Sequence, residues 1–128
     1  MKISILLPYK ENFSPNYAGA VSLFVKDTVI NSKYSKSTYI FGNMDYKVPF
    51  LKNYININLK KSFLQSNSKN YIKKFLEKEK KINSEILEIH NRPNYIKYLN
   101  NIKDKKIILY FHNDPLSMNG SISIKDRL

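Results

Sequence analysis

The chain has two histidines, and both stand where chemistry is often placed in a folded sheet. His90 and His112 each follow the last apolar residue of a strand-like run, Ile89 and Phe111. Each opens a polar segment that ends in proline: His90-Asn91-Arg92-Pro93 and His112-Asn113-Asp114-Pro115. An imidazole can give or take a hydrogen bond near neutral pH, so two on one rim could hold a polar ligand. A lone histidine there would read equally as a hydrogen-bonded loop residue. A third feature is the small-residue turn Ala18-Gly19-Ala20. Small residues let a ligand approach the backbone and the start of a following helix, whose free N–H groups favour anions. Lys10 and Glu11, in the loop before it, read as solvated.

The elements that must position these residues follow from hydrophobic pattern. Lys2 to Leu7 is almost continuously apolar, as in a strand covered on both faces, and Pro8 stops it. After a polar loop, Val21, Phe24, Val25, Thr28 and Val29 form one helical stripe. Asn31-Ser32-Lys33 breaks the helix. Ser37 to Phe41 is a second strand, closed by Gly42-Asn43. Tyr54 to Leu59 alternates, with Ile55, Ile57 and Leu59 on one face, which suits a sheet edge. Ser66 to Ile82 is helical, with Ile72, Phe75, Leu76 and Ile82 inward and lysines outward. Ser84 to His90 is the fourth strand. Asn91 is placed to cap a short helix over Arg92 to Ile102. Lys105 to Phe111, apolar without alternation, predicts a fifth strand buried on both faces. Ser123 and Asp126 resemble a capping box for a last helix near Ile124.

This order predicts an α/β, Rossmann-like three-layer domain: a parallel sheet in the order 3-2-1-4-5 with helices on both faces. Strands one, four and five are then neighbours, and their carboxyl ends bring Gly19, His90 and His112 to one rim. The fifth strand would be an edge that reads like an interior strand. The last predicted helix has little more than one turn before Leu128. Both points predict that the natural protein continues.

Composition bounds the function. The formal charge is +12, from 22 basic and 10 acidic residues, and only Arg92 and Arg127 are arginines. Nucleic-acid binding favours arginine and aromatics on one face, so the shortage of arginine argues against it. Lysine clusters at Lys60-Lys61, Lys73-Lys74 and Lys78 to Lys81 suit an anionic membrane surface. A general Lys, Asn and Ile richness explains the charge equally well. With no cysteine, disulfides and thiolate metal sites are excluded, and two histidines make no structural zinc site. No apolar segment approaches the roughly 20 residues that span a bilayer, and no secretory signal is evident. The expected location is cytoplasmic, peripheral to the inner membrane face.

The Ala18-Gly19-Ala20 turn, the His90-Asn91-Arg92-Pro93 segment and the His112-Asn113-Asp114-Pro115 segment together resemble the N-terminal domain of GT-B glycosyltransferases of the GT4 type. That group builds lipopolysaccharide and other envelope glycans. The resemblance spans essentially the whole chain in element order. It implies that residues 1–128 are the acceptor-side, Rossmann-like domain of such an enzyme, without its C-terminal donor domain. That missing half would carry the paired glutamates that grip a nucleotide-sugar. The implied reaction moves a sugar from that co-substrate to a glycan or lipid-linked acceptor with retention, and without a metal or other cofactor.

By the same resemblance, Gly19 and Ala20 lie in the turn that approaches the donor diphosphate, although Ala18 replaces the first of the family's two adjacent glycines. His112 lies near the transferring sugar as the catalytic-site histidine. His90, Asn91 and Arg92 line the acceptor side, with Asn113 and Asp114 beside them. The chemistry is compatible. Fixed N–H donors stabilise a departing diphosphate. Arg92 offers a planar fork to phosphate or carboxylate, and a solvated first-turn role fits it as well. Asp114 could act as a base or bind an acceptor hydroxyl; before Pro115 it is also a turn-former. The alternative is a small flavodoxin-like module that binds a phosphorylated ligand at Gly19. The fifth-strand edge leaves room for a homodimer.

Overall fold

A computed structural model of the chain describes residues 1–59 and 67–113. Five parallel strands form one sheet in the order β3-β2-β1-β4-β5. They are β1 (Ile3–Leu6), β2 (Thr38–Gly42), β3 (Tyr54–Asn56), β4 (Ile86–His90) and β5 (Lys106–Tyr110). Helix α1 (Ala20–Ile30) joins β1 to β2, and α2 (Asn67–Ile82) leads to β4. A 3₁₀ helix over Pro93–Leu99 lies between β4 and β5. The fold is the α/β, Rossmann-like arrangement that the pattern predicts.

β1 is central because its residues are apolar on both sides. Ile5 and Leu7 pack with Val21, Val25 and Val29 of α1. Leu6 faces the other way, onto Tyr71, Ile72 and Phe75 of α2. Each large side chain buried this way contributes about 1.5–3 kcal/mol. The register sets the site: Leu6 stands beside Ile89 of β4, and His90 beside Tyr110 of β5. All carboxyl ends therefore reach one edge of the sheet.

Several local expectations are corrected. Thr28 is exposed rather than part of the α1 stripe; its hydroxyl donates to the Val25 carbonyl at 3.0 Å, which satisfies it without burial. β3 ends at Asn56 instead of Leu59, because its partner β2 ends at Gly42. The expected alternation survives: Ile57 is fully buried, and side-chain amides such as Asn43, which donates to the Ile57 carbonyl at 2.8 Å, replace the ladder. The helix expected over Arg92 to Ile102 is the shorter 3₁₀ segment. β5 is half-exposed, not buried on both faces: Ile107, Ile108 and Leu109 are partly covered, and Lys106 and Tyr110 are exposed. Among the described residues it is a sheet edge that pairs with β4 alone. The expected start of the second long helix at Ser66 and the last helix near Ile124 lie outside the described residues.

Two buried tyrosines fix the end of β1. The Tyr71 hydroxyl donates to the Leu7 carbonyl at 2.7 Å, and the Tyr9 N–H donates to the Tyr95 hydroxyl at 3.1 Å. Burial pushes the Tyr71 hydroxyl well above its ordinary pKa, so it stays a neutral donor. Among the described residues no helix is long and apolar enough to cross a membrane.

Candidate functional site

The two imidazoles meet. His90 Nδ1 and His112 Nε2 lie 2.9 Å apart in a direct hydrogen bond. His90 is the last residue of β4 and only 1 % exposed. It stacks on Tyr110 of β5, with ring centroids 5.2 Å apart and planes 13° apart. Phe24 of α1 closes the cluster edge-on to His112, at 4.9 Å between centroids. The strand period of two explains the gathering: Glu88, His90, Ile108 and Tyr110 share the face toward α1. Glu88 is the partner that sequence reasoning missed. Its Oε2 lies 3.4 Å from His90 Nε2. The signal was available, because a carboxylate two residues before a strand-end histidine must share its face.

Asn91 sets where His112 sits. It adopts a left-handed backbone conformation, with φ 58°, which asparagine tolerates better than most residues. Its N–H donates to the Tyr110 carbonyl at 2.7 Å, and its Oδ1 accepts from the His112 N–H at 3.1 Å. Asn91 does not cap the following helix as expected. That cap position is Arg92, with no side-chain cap bond. Both links of Asn91 run instead to the end of β5.

Arg92 is half-buried, which departs from a solvated residue. Its Nη1 donates to the Asn91 carbonyl at 2.7 Å. The Tyr95 hydroxyl is pushed up by burial and drawn back partly by the Tyr9 N–H and by Arg92. Asn113 and Ala20 are exposed. Asp114 lies outside the described residues.

The Gly19 turn holds a feature the sequence did not reveal. The loop doubles back through Lys10, with φ 65°, and the Glu11 N–H donates to the Pro8 carbonyl at 3.1 Å. Glu11 is thereby aimed at the start of α1. Its Oε2 accepts from the Ser22 N–H at 3.3 Å and from the Ser22 hydroxyl at 2.8 Å. A Cβ on Gly19 would press into this carboxylate, coming within 2.9 Å of its Cδ. Gly19 has φ −80°, so the residue is small to admit Glu11, not to reach a special conformation. The anion at this helix start is the chain's own Glu11, which reads as a cap rather than as a solvated loop residue. No fixed sequence spacing announces such a contact, because it depends on the path of the loop.

The electrostatics of the rim follow. Burial and the neighbouring His90 hold the His112 pKa below the ordinary imidazole value, while Glu11 and Glu88 pull it back. His112 is thus mostly neutral at pH 7. No group of three His, Cys, Asp or Glu is placed to hold a metal ion among the described residues. A separate groove of about 520 Å³ runs along the β3 end, lined by Asp45, Tyr46, Tyr54, Asn56 and Asn58 among others. Neither histidine lines it. Within it Asn56 Oδ1 accepts from both the Met44 N–H and the Tyr54 hydroxyl.

No family model matches this chain, and neither a curated protein nor a solved structure matches it.

Proposed function

We propose that this chain is the N-terminal, acceptor-side domain of a retaining GT-B glycosyltransferase of the GT4 type. The complete protein transfers a sugar from a nucleotide-sugar to an envelope glycan or lipid-linked acceptor. One observation supports this above the others: His90 and His112 meet at the carboxyl edge of a parallel 3-2-1-4-5 sheet, where open α/β folds hold ligands. In this reading His112 contacts the transferring sugar, while His90, Asn91 and Arg92 organise the acceptor side. The rival module, with a phosphorylated ligand against Gly19, would place that phosphate on the Glu11 carboxylate. That contact weighs against it, and equally against a donor diphosphate at the same turn.

The test is the complete gene. A second Rossmann-like half with paired glutamates, encoded after Leu128, and transfer with retained configuration from one of a panel of nucleotide-sugars would support the proposal. The 128-residue chain alone transfers nothing, since the donor grip is not in it. Transfer by the fragment, or a stop codon directly after Leu128, would refute the reading. In the complete enzyme, His112→Ala lowers kcat/KM about 10- to 100-fold, the scale on which a lost positioning contact acts.

The outward face of α2 motivates a membrane contact within the same reading. Lys73, Lys74, Lys80 and Lys81 are exposed there, and each lysine near an anionic surface is worth about 1 kcal/mol. Co-sedimentation with liposomes is expected to rise with anionic lipid content and fall with salt. Replacing these four lysines with glutamine should weaken it at least about tenfold. Sedimentation that does not respond to lipid charge would remove the membrane role.

A further inference from the structure

The His90–His112 pair has a direction, and Glu88 sets it. His90 Nε2 is buried and makes no hydrogen bond among the described residues, yet it lies 3.4 Å from the Glu88 carboxylate. A lone pair at that nitrogen would be buried against negative charge. A proton there faces an anion instead. The arrangement with the better electrostatics therefore carries hydrogen on Nε2.

The rest follows from valence. A neutral His90 with hydrogen on Nε2 presents a bare lone pair at Nδ1. Its neighbour at 2.9 Å, His112 Nε2, must then be the donor. A neutral His112 that donates through Nε2 has no hydrogen on Nδ1. That nitrogen makes no hydrogen bond among the described residues, and His112 is only partly covered.

The geometry points to a carboxylate–imidazole–imidazole relay, Glu88–His90–His112, that fixes His112 as a hydrogen-bond acceptor toward its ligand. An acceptor nitrogen takes an O–H group. It repels a phosphate oxygen, which has no hydrogen to give. The relay thus selects a ligand hydroxyl at His112, and Glu88 and His90 act as positioning residues. That His112 faces the ligand rests on the function proposed above; the hydrogen assignment does not. If His112 Nδ1 takes up a proton, the charge can move inward to His90, because His112 Nε2–H already points to His90, and the Glu88 carboxylate 3.4 Å from His90 Nε2 favours it there. The groups that face His112 are His90 and Glu88 from β4, Tyr110 from β5, Phe24 from α1 and Glu11 from the first loop. Of these, the two carboxylates favour its protonated form.

Nitrogen-15 NMR of histidine-labelled chain reads the assignment directly. At a pH high enough that both rings are neutral, both imidazoles are expected to carry hydrogen on Nε2 and none on Nδ1. Hydrogen found on His112 Nδ1, or on His90 Nδ1, would overturn the inference. Glu88→Leu is the second arm. It should lower the His112 midpoint and let the Nδ1–H form of His112 appear. The exposed Glu77→Gln on α2 serves as control and should change neither. A Glu88→Leu chain that keeps both the midpoint and the hydrogen positions would equally overturn it. The wild-type measurement stands even if that variant does not fold. Failure here leaves the transferase assay untouched, and absence of transfer leaves the hydrogen positions untouched.

Discussion

Replacing Glu79 with alanine is expected to remove about 3–5 kcal/mol of folding free energy, a large part of the roughly 5–15 kcal/mol a domain has. Glu79 sits near the end of α2 and is only 2 % exposed. An acid at a helix C-terminus is unfavourable on its own, because the helix dipole is negative there. Its partners reverse that. Oε1 accepts from the buried Ser84 N–H at 2.7 Å, and Oε2 pairs with Lys105 at 3.6 Å. Lys105 also donates to Asn83 Oδ1 at 2.9 Å and to the Ser84 carbonyl at 2.6 Å. These contacts weld the end of α2 to the residues that precede β4 and β5. Alanine strands both a buried N–H and a largely buried ammonium. Urea unfolding measures the loss. Adding Lys105→Leu to Glu79→Leu should recover much of it, because an apolar pair leaves no charge unpartnered. If Glu79→Ala costs under about 1 kcal/mol, the pair is not the anchor described.

Asn91→Ala is expected to cost about 2 kcal/mol and to displace His112. Two effects add. Alanine holds the left-handed backbone about 1 kcal/mol less well than glycine, and the bond to the His112 N–H, worth another ~1 kcal/mol, is lost. Asn91→Gly separates them: it keeps the backbone freedom and loses only the bond. Glycine should therefore cost about half as much as alanine in the same unfolding assay. Both variants should weaken the hydrogen bond between the two imidazoles, read from the histidine nitrogen signals. Equal losses for alanine and glycine would mean the backbone conformation contributes nothing.

The sheet was legible because parallel, doubly covered strands leave a pattern that local sequence carries. Lys2 to Leu7 and Ser84 to His90 read as strands and hold β1 and β4, and the alternation of Ile55 and Ile57 matches the faces of the β3 edge. The rim was legible only in outline. His90 and His112 could be placed at strand ends, but their bond depends on the register of β4 against β5. Glu11 was invisible, since it reaches Ser22 only through the turn at Lys10. Tyr71, fully buried, escaped the α2 stripe because tyrosine also suits a surface; its hydroxyl bond to Leu7 is what admits it. β5 misled because an apolar run signals burial without saying by what. In this structure that run is an edge.

The place of β1 has a consequence for the order of synthesis. β1 leaves the ribosome before β2 and β4 and comes to lie between them, and its Lys2 N–H reaches Glu85 across 83 residues. It can take up β2 early, but its other flank stays bare until β4 has been made. Non-local closure of that kind slows folding. During that interval Leu6, whose covering residues Tyr71, Ile72 and Phe75 lie in the later α2, and the bare flank of β1 stay open to whatever the nascent chain meets first.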